Sequence, residues 1–529
     1  TQDSSSAASD VYKRQPYLLA SSNGTMPTSN SEPLKVTIKQ FNFEGNTRFN
    51  NEELQQQLTP YINKPITFAQ LIAARTAITK FYTKNNYITS GAFIPPQTVS
   101  DKGILTLQVV EGKVSEINVK IQGRLNESYI KSRLEKATAT PLNQEKLLSA
   151  LQILHTDPLV KTISAELSSG VRPDTSILDI KIETANPWQI ATISNNGRAP
   201  SVGTFRRGVE VGHRNVTGIG DSLNTLYTNT DGGDMVEVSY SIPVNSSNGR
   251  MELFYRHRDI MVVESPFERL DIESNSNTYK LSFSQPIMQT PWQTLSLGLS
   301  AIKRDSQTSI LGENYPLSEG ADDNGETKLS ILQFFQDYQL LGKNQVLAFN
   351  SQFNLGLGIL DATKNNSEPD SRFFYWRGQG KWVRELVKNT LLVVGADIQL
   401  SSSDLVPRER FGLGGYRSVK AYRQDTRLTD NGALGTVELR LPVPGISGKN
   451  RLFQVVPFID GGVAWNSDDE EVEGSKALAA AGVGLQVNLW EKINMRLDYG
   501  IPLVDVDSRD KTAQEEGFYF SFSTTPFSF

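Results

Sequence analysis

Residues Val483-Gly484-Leu485-Gln486-Val487-Asn488-Leu489 and Ile493-Asn494-Met495-Arg496-Leu497-Asp498-Tyr499 alternate an apolar side chain with a small or polar one. Period-two alternation is the mark of a β-strand whose two faces meet different surroundings. A soluble sandwich also alternates, with its polar face turned to water. Here the polar faces carry large residues of both charge signs, strand after strand. Val437, Leu439 and Leu441 oppose Glu438 and Arg440, and Val236, Val238 and Tyr240 oppose Glu237 and Ser239. A water-filled lumen suits such a face, and the apolar face then meets lipid.

The same texture extends in both directions from there. After Asn186-Pro187, helical periodicity nearly vanishes. Candidate strands begin near Trp188, Thr204, Asp221, Met235, Gly249, Asn277, Trp292 and Glu326, then near Asn344, Ser371, Asn389, Gly432, Leu452, Ala477, Lys492 and Gly517. That is about sixteen strands, an even number as in bacterial barrels. The expected fold is a transmembrane β-barrel over 187–529. Short turns such as Asn245 to Asn248 contrast with long polar segments, Asp305 to Asn324 and Asp361 to Asp370, which suit short periplasmic turns and long external loops. Gly356 and Gly358 read as small lumen-facing strand residues. The chain ends on an aromatic alternating strand, with Phe520, Phe522, Phe527 and Phe529, that resembles the assembly signal of bacterial outer-membrane proteins. Left unpaired in a soluble protein it would invite aggregation.

The totals agree with this reading. There is no cysteine in 529 residues, which excludes a disulfide scaffold and thiolate metal sites. No stretch is long and apolar enough for a membrane helix, which leaves a barrel open. A net charge of −5 argues against nucleic acid as a partner. His155, His213 and His257 share no metal spacing, and neither a P-loop nor a Gly-x-Ser-x-Gly elbow occurs. No catalytic residue, cofactor or metal is expected. Asp322-Asp323 and Asp468-Asp469-Glu470-Glu471 read as solvated loop charges. Thr1 to Pro33 is Ser/Asn/Thr-rich and reads as a linker or plug segment, with Val11 to Ala20, broken by Pro16, as the one helix candidate. No signal-peptide pattern opens it.

Ahead of the barrel, two α+β modules are expected. Leu34 to Phe41 alternates as one half-buried strand, Asn50 or Asn51 caps a short helix to Leu58, and Thr67 to Lys84 repeats apolar residues at helical spacing. Strands follow near Tyr87 to Ile94 and Ile104 to Val110. The order strand, helix, helix, strand, strand then recurs at Val114 to Ile121, Asn126 to Ala137, Asn143 to Leu154, Thr162 to Leu167 and Ser176 to Ile182. A repeat of about 75 residues is better evidence than either copy alone. The order resembles the polypeptide-transport-associated (POTRA) domain, placed at 34–112 and 113–186. The run from Asn86 to Gln97, including Phe93, Pro95, Pro96 and Gln97, resembles the first POTRA domain of two-partner secretion transporters. Those four residues are the candidates for client recognition. An exposed strand edge in such a module can take an extended peptide as an added strand.

One connection is several times longer than a hairpin needs, from Ser401 to Asn431. It contains Arg410-Phe411-Gly412-Leu413-Gly414-Gly415-Tyr416-Arg417-Ser418-Val419-Lys420-Ala421-Tyr422-Arg423, glycines and aromatics among cations. With two modules and a barrel in place, the chain resembles the outer-membrane assembly and two-partner secretion superfamily (BamA/TpsB). The resemblance implies that this loop, 401–431, folds inward. The family's loop-tip motif is Val-Arg-Gly-Tyr, and the matching positions here read Val419-Lys420-Ala421-Tyr422. The family's Phe-x-Asp-x-Gly strand motif matches Phe458, Asp460 and Gly462. By that analogy Lys420 pairs with Asp460, with Arg417 or Arg423 as substitutes; a plain turn at Asp460-Gly461 is the alternative. The resemblance implies a monomer in the bacterial outer membrane, built by the barrel assembly machinery, surrounded by lipid, with POTRA domains in the periplasm. It implies export of one large exoprotein, a haemolysin, adhesin or contact-dependent inhibition toxin, recognised through its N-terminal secretion domain. The alternatives are a BamA-type assembly factor and a passive porin or receptor.

Overall fold

The computed structural model describes residues 35–99, 102–448, 450–468, 472, 474–506 and 512–525. The segment expected as a linker at 1–33, the charges Asp469, Glu470 and Glu471, and the terminal Phe527 and Phe529 lie outside the described residues. The chain divides into two compact units that meet in sequence at Thr184 and Ala185.

The first unit opens with β1 (Lys35–Thr37), β2 (Gln40–Glu44), α1 (Asn51–Gln57), β3 (Pro65–Thr67), α2 (Phe68–Lys84), β4 (Gly91–Phe93) and β5 (Ile104–Val110). Both helices start in capping boxes, Asn50 with Glu53 and Thr67 with Gln70, so two orphan amides are satisfied at each start. The sheet order is β2-β5-β4, with β2 parallel to β5. The single strand expected over Leu34 to Phe41 is instead two. The alternation persists, but the backbone changes partners: β1 pairs with β3 and β2 with β5. The amides of Lys39 and Gln40 both turn to the carbonyl of Gly103 at the switch. The strand expected from Tyr87 shortens to three residues, because 85–90 is folded into turns that bury Tyr87 against Phe49 and Tyr82.

Glu111 ties this module shut, a role its sequence neighbours gave no sign of. Its carboxylate accepts from the amides of Thr47 and Arg48, both at 2.9 Å, from the Tyr82 hydroxyl at 2.8 Å, and from the Thr47 hydroxyl. Burial pushes the carboxyl up, but these hydrogen bonds outweigh it and hold Glu111 below the ordinary glutamate value. Tyr82 is pushed up, by burial and then by its bond to Glu111.

The second module has β6 (Lys113–Gln122), α3 (Glu127–Ala137), α4 (Gln144–His155), β7 (Val160–Ser169) and β8 (Thr175–Thr184), in sheet order β6-β8-β7. It repeats the order of the first around its own core, in which Ile130, Leu134, Leu178 and Ile180 are buried. The two modules are joined by the Gln144 amide on the carbonyl of Asn86 and the Leu142 amide on that of Gly112, both at 2.8 Å.

The second unit is a closed barrel of sixteen antiparallel strands. They are β9 (Trp188–Asn195), β10 (Arg206–His213), β11 (Ser222–Thr230), β12 (Gly233–Pro243), β13 (Arg250–Met261), β14 (Glu273–Gln289) and β15 (Gln293–Ile310). A two-residue β16 (Glu313–Asn314) rides on the β15 hairpin. Then come β17 (Glu326–Gly342), β18 (Gln345–Leu357), β19 (Phe374–Val387) and β20 (Thr390–Ser401). After the short β21 (Phe411–Leu413) and β22 (Arg427–Thr429), the wall resumes with β23 (Asn431–Pro442), β24 (Arg451–Trp465), β25 (Ala477–Leu489), β26 (Ile493–Pro502) and β27 (Phe518–Thr524). The chain enters at the rim beside Trp188, here the near rim; long loops leave from the opposite, far rim.

Register confirms two unlike faces. Leu485 and Leu497 sit opposite each other and are about half exposed outward, at 54% and 49%. Their neighbours Gln486 and Asp498 are buried inside. Exposed apolar side chains on every side of a barrel are stable only against hydrocarbon. The polar loop expected over Asp305 to Asn324 is shorter than that: β15 continues to Ile310 and stays paired with β17 from Gln307 and Glu326 downward. Gly356 faces inward beside Asn354, where a Cβ would lie 2.3 Å from the Ser371 carbonyl; Gly358 lies beyond the end of β18 and is not a strand residue. Closure is narrow. β27 meets β9 through three residue pairs, Ser521 with Asn195, Phe522 with Ser194 and Ser523 with Ile193, whereas the other neighbouring wall strands share at least seven. Phe520 and its row neighbour Phe522 lie on the outer side of β27.

Candidate functional site: the inward loop and its wall

The connection between β20 and β23 leaves the far rim and turns back into the barrel. It carries a stem that the sequence did not announce, β21 paired with β22. Phe411 and Leu413 of the stem are buried against Ala464 and Leu478 on the inner faces of β24 and β25. Two glycines make the room. A Cβ at Gly432 would lie 2.1 Å from the Phe411 ring, and one at Gly462 would lie 2.5 Å from a Leu413 methyl. The base of the loop is held by the Gln399 amide, which donates to the carbonyls of Glu409 at 2.8 Å and Asp430 at 3.1 Å.

The tip turns through Gly414 and Gly415, both at positive φ (106° and 102°), where a side chain would be strained. The Ser418 hydroxyl accepts the Gly414 amide at 3.1 Å, and Val419 is buried. Lys420 then places its Nζ 2.8 Å from Asp460 Oδ2, and its amide donates to the same oxygen at 3.3 Å. The ammonium also lies 4.1 Å from the centre of the Phe458 ring. Both charges are out of solvent, with side chains 6% and 0% exposed. Asp460 sits in the middle of β24, opposite Thr436 and Ala480, so it is not in a turn. Its second oxygen, Oδ1, is buried and has no hydrogen-bond partner among the described residues. A lysine supplies a point charge where an arginine fork would reach both oxygens.

Ala421 holds φ at +72°, in the left-handed region that favours glycine, with its methyl packed toward Gly500. Left-handed backbone costs an L-residue about 1 kcal/mol. Ala421→Gly is therefore expected to favour the seated loop by about 1 kcal/mol, read as rarer spontaneous openings in planar bilayers. Tyr422 carries the tip to a third wall. Its hydroxyl lies 2.8 Å from the carbonyls of Ala479 and Val504 and accepts the Val504 amide at 3.1 Å. The Tyr519 hydroxyl of β27 donates to the Tyr422 carbonyl. Arg423, one of the substitutes considered for Lys420, instead forks onto both oxygens of Glu264, a far-rim loop residue. Arg417, the other, borders a cavity of about 640 Å³ between the tip and the wall. Arg410 pairs with Glu319 and lies 3.5 Å from Asp430.

Under the tip, Arg496 on β26 bridges Glu438 on β23 at 2.9 Å and Asp498 at 2.8 Å, and Arg440 joins Glu438 at 3.1 Å. Sequence reasoning flagged these charges as one inward face but did not pair them. The signal was the alternation itself; the pairing needed the register. Among the residues singled out in the first module, Phe93 ends β4 and Pro95 and Pro96 follow it. The Gln97 side-chain amide accepts from the Thr106 amide at 2.9 Å and donates to its carbonyl at 2.6 Å. It thus continues the β4 edge with a side chain and occupies that length of β5.

Comparison with known proteins places this geometry. The family described as "Haemolysin secretion/activation protein ShlB/FhaC/HecB" matches residues 174–487, and the "POTRA domain, ShlB-type" matches residues 36–112. The chain is similar to the heme/hemopexin transporter protein HuxB of Haemophilus influenzae, 22% identical over 93% of this chain and 87% of that protein. It is similar to the outer membrane transporter CdiB of Dickeya dadantii, 21% identical over 88% of this chain and 83% of that protein. Its fold is similar to that of CdiB from Escherichia coli, with a TM-score of 0.72 and 19% identity over 95% of this chain and 93% of that one. A sixteen-strand barrel with a ShlB-type POTRA domain ahead of it, matched over more than half its length by one family, is an outer-membrane transporter of two-partner secretion with its POTRA region in the periplasm: the chain belongs to the ShlB/FhaC/HecB family.

Proposed function

We propose that this transporter exports one large partner exoprotein through its lumen and that the loop between Ser401 and Asn431 is the gate. The observation that carries the reading is the loop tip seated inside the barrel on a buried charge pair, Lys420 with Asp460. A buried pair is stable only while both partners are present and desolvated, so it holds one position and releases as a unit. The family's description as a haemolysin secretion/activation protein supports a secreted protein as cargo.

In this reading the segments 34–112 and 113–186 are both POTRA domains that receive the extended secretion domain of the client by strand addition. Because Gln97 covers part of β5, the client edge lies elsewhere in the sheet, at β2 or at the outer strands of the second module. The loop then leaves Asp460, and the client crosses unfolded through 187–529, with folding on the far side giving direction. The transporter acts as a monomer, and the barrel assembly machinery inserts it through an end signal that includes Phe520 and Phe522.

Deletion of the gene is expected to remove one large protein from the culture supernatant or cell surface while other outer-membrane barrels stay at normal levels. Loss of many barrels together would instead mark an assembly factor. An unchanged exoproteome would reject export altogether.

A further inference from the structure

The barrel wall from β10 to β15 does not balance its charge. Register puts Arg206, Arg256, Arg258 and Arg304 on its inner face. Arg256 is paired with Glu237 at 2.6 Å, and Arg304 with Glu409 of the loop. Glu409 is further committed to the Tyr375 hydroxyl at 2.8 Å. Among the described residues no carboxylate pairs with Arg206 or Arg258. Among the described residues the Arg206 Nε is buried without a hydrogen-bond partner, and the Arg258 guanidinium donates to the Met235 sulfur at 3.4 Å.

The loops bring more cations to the same place. Arg408 donates to Ser276 at 2.6 Å, and Ser276 is the residue directly opposite Arg258. Arg198, from the segment between β9 and β10, lies within electrostatic reach of both Arg206 and Arg258, and Arg417 of the loop tip within reach of Arg206. Asp425 of the loop lies near Arg198. Arg206 and Arg258 thus face the far-rim half of the lumen with no carboxylate partner among the described residues, Arg408 is held on the residue opposite Arg258, and Arg198 and Arg417 lie near them. Arg198, Arg206 and Arg258 are half-buried and Arg408 and Arg417 are exposed to the lumen, so water solvates them in part, and the mutual repulsion of like charges held close together favours a bound counter-ion. Guanidinium forks match planar oxyanions by paired hydrogen bonds.

We propose that Arg198, Arg206, Arg258, Arg408 and Arg417 form a binding site in the lumen for a small multivalent oxyanion, such as a polycarboxylate. The site is separate from the Lys420–Asp460 pair and does not depend on what the barrel exports. Two of its cations, Arg408 and Arg417, belong to the loop and two, Arg206 and Arg258, to the wall. A bound anion therefore links loop to wall.

Citrate titrated into the detergent-purified full chain, followed by calorimetry, tests this. Binding is expected for the wild type, weakened at least tenfold in the double variant R206Q/R258Q and largely retained in R206K/R258K, which keeps both charges. Heat-modifiable migration on gels verifies that each barrel is folded. A wild type that does not bind citrate, or a folded R206Q/R258Q that binds as the wild type does, overturns the site. In planar bilayers, citrate added at the far-rim side is expected to reduce wild-type current more than that of R206Q/R258Q; equal reduction also counts against it.

Discussion

Asp460→Ala is expected to unseat the inward loop. The substitution leaves the Lys420 ammonium buried on the Phe458 ring with no counter-charge. Breaking a buried pair from one side costs about 3–5 kcal/mol. At about 1.4 kcal/mol per tenfold, that shifts the balance between seated and free loop by a factor of roughly a hundred or more. In planar bilayers the variant is expected to show basal conductance raised at least tenfold, while the barrel stays folded by heat-modifiable migration. Lys420→Arg is the matched control. Its fork reaches Asp460 Oδ1, now without a partner, so its basal conductance is expected to be no higher than the wild type's. Wild-type conductance and wild-type export in Asp460→Ala together would remove the gate from this loop.

Glu111→Ala is expected to loosen the first POTRA domain by about 2 kcal/mol. Four donors, from Thr47, Arg48 and Tyr82, lose their acceptor, and water reaches some of them because the carboxylate is only partly buried. Urea unfolding of residues 35–184, which hold two cores of their own, measures it. The pH dependence has a definite sign. Glu111 titrates lower in the folded state than in the unfolded one, near 4.3. The unfolded chain therefore binds the proton first, and stability rises with pH through this range. The contribution is present above about pH 4.3 and is lost as pH falls through the folded value. The variant lacks this part of the acid sensitivity; an identical pH profile would show that the network adds nothing.

The barrel was legible because its strands each repeat one rule. A lipid face and a wet face force alternation, so Trp188, Glu326, Ala477 and most other strand starts fall within a few residues of their structural counterparts. The first module was less legible where one alternating run serves two partners. Nothing in Lys35 to Phe41 says that the backbone switches sheets at Ile38, since both halves alternate alike. The pair of Lys420 and Asp460 was reached only through the family motifs. Composition alone left Arg417 and Arg423 as substitutes, and choosing among them required knowing which cation faces the wall. The stem of the loop stayed hidden for another reason. Phe411 to Leu413 and Arg427 to Thr429 are too short for periodicity to register, and what fixes them is the space left by Gly432 and Gly462.

The joint between β27 and β9 is the thinnest weld of the cylinder, and the seated loop acts as its splint. At the far-rim end, Asn196 substitutes for missing ladder bonds, its side chain meeting the amide of Phe520 and the carbonyl of Phe518, both at 2.9 Å. Gln514 binds the carbonyls of Asn196 and Arg198 across that joint, and the loop amide of Gln424 rests on Gln514 at 2.9 Å. Tyr416 packs beside Tyr519, whose hydroxyl is held by Tyr422. When the loop departs, the contacts of Gln424, Tyr416 and Tyr422 depart with it, and of these braces only the Asn196 and Gln514 bonds remain. If the loop is the gate proposed above, opening of the channel and mechanical weakening of its seam are one event, and a lateral pull on the barrel is expected to be resisted most while the lumen is closed.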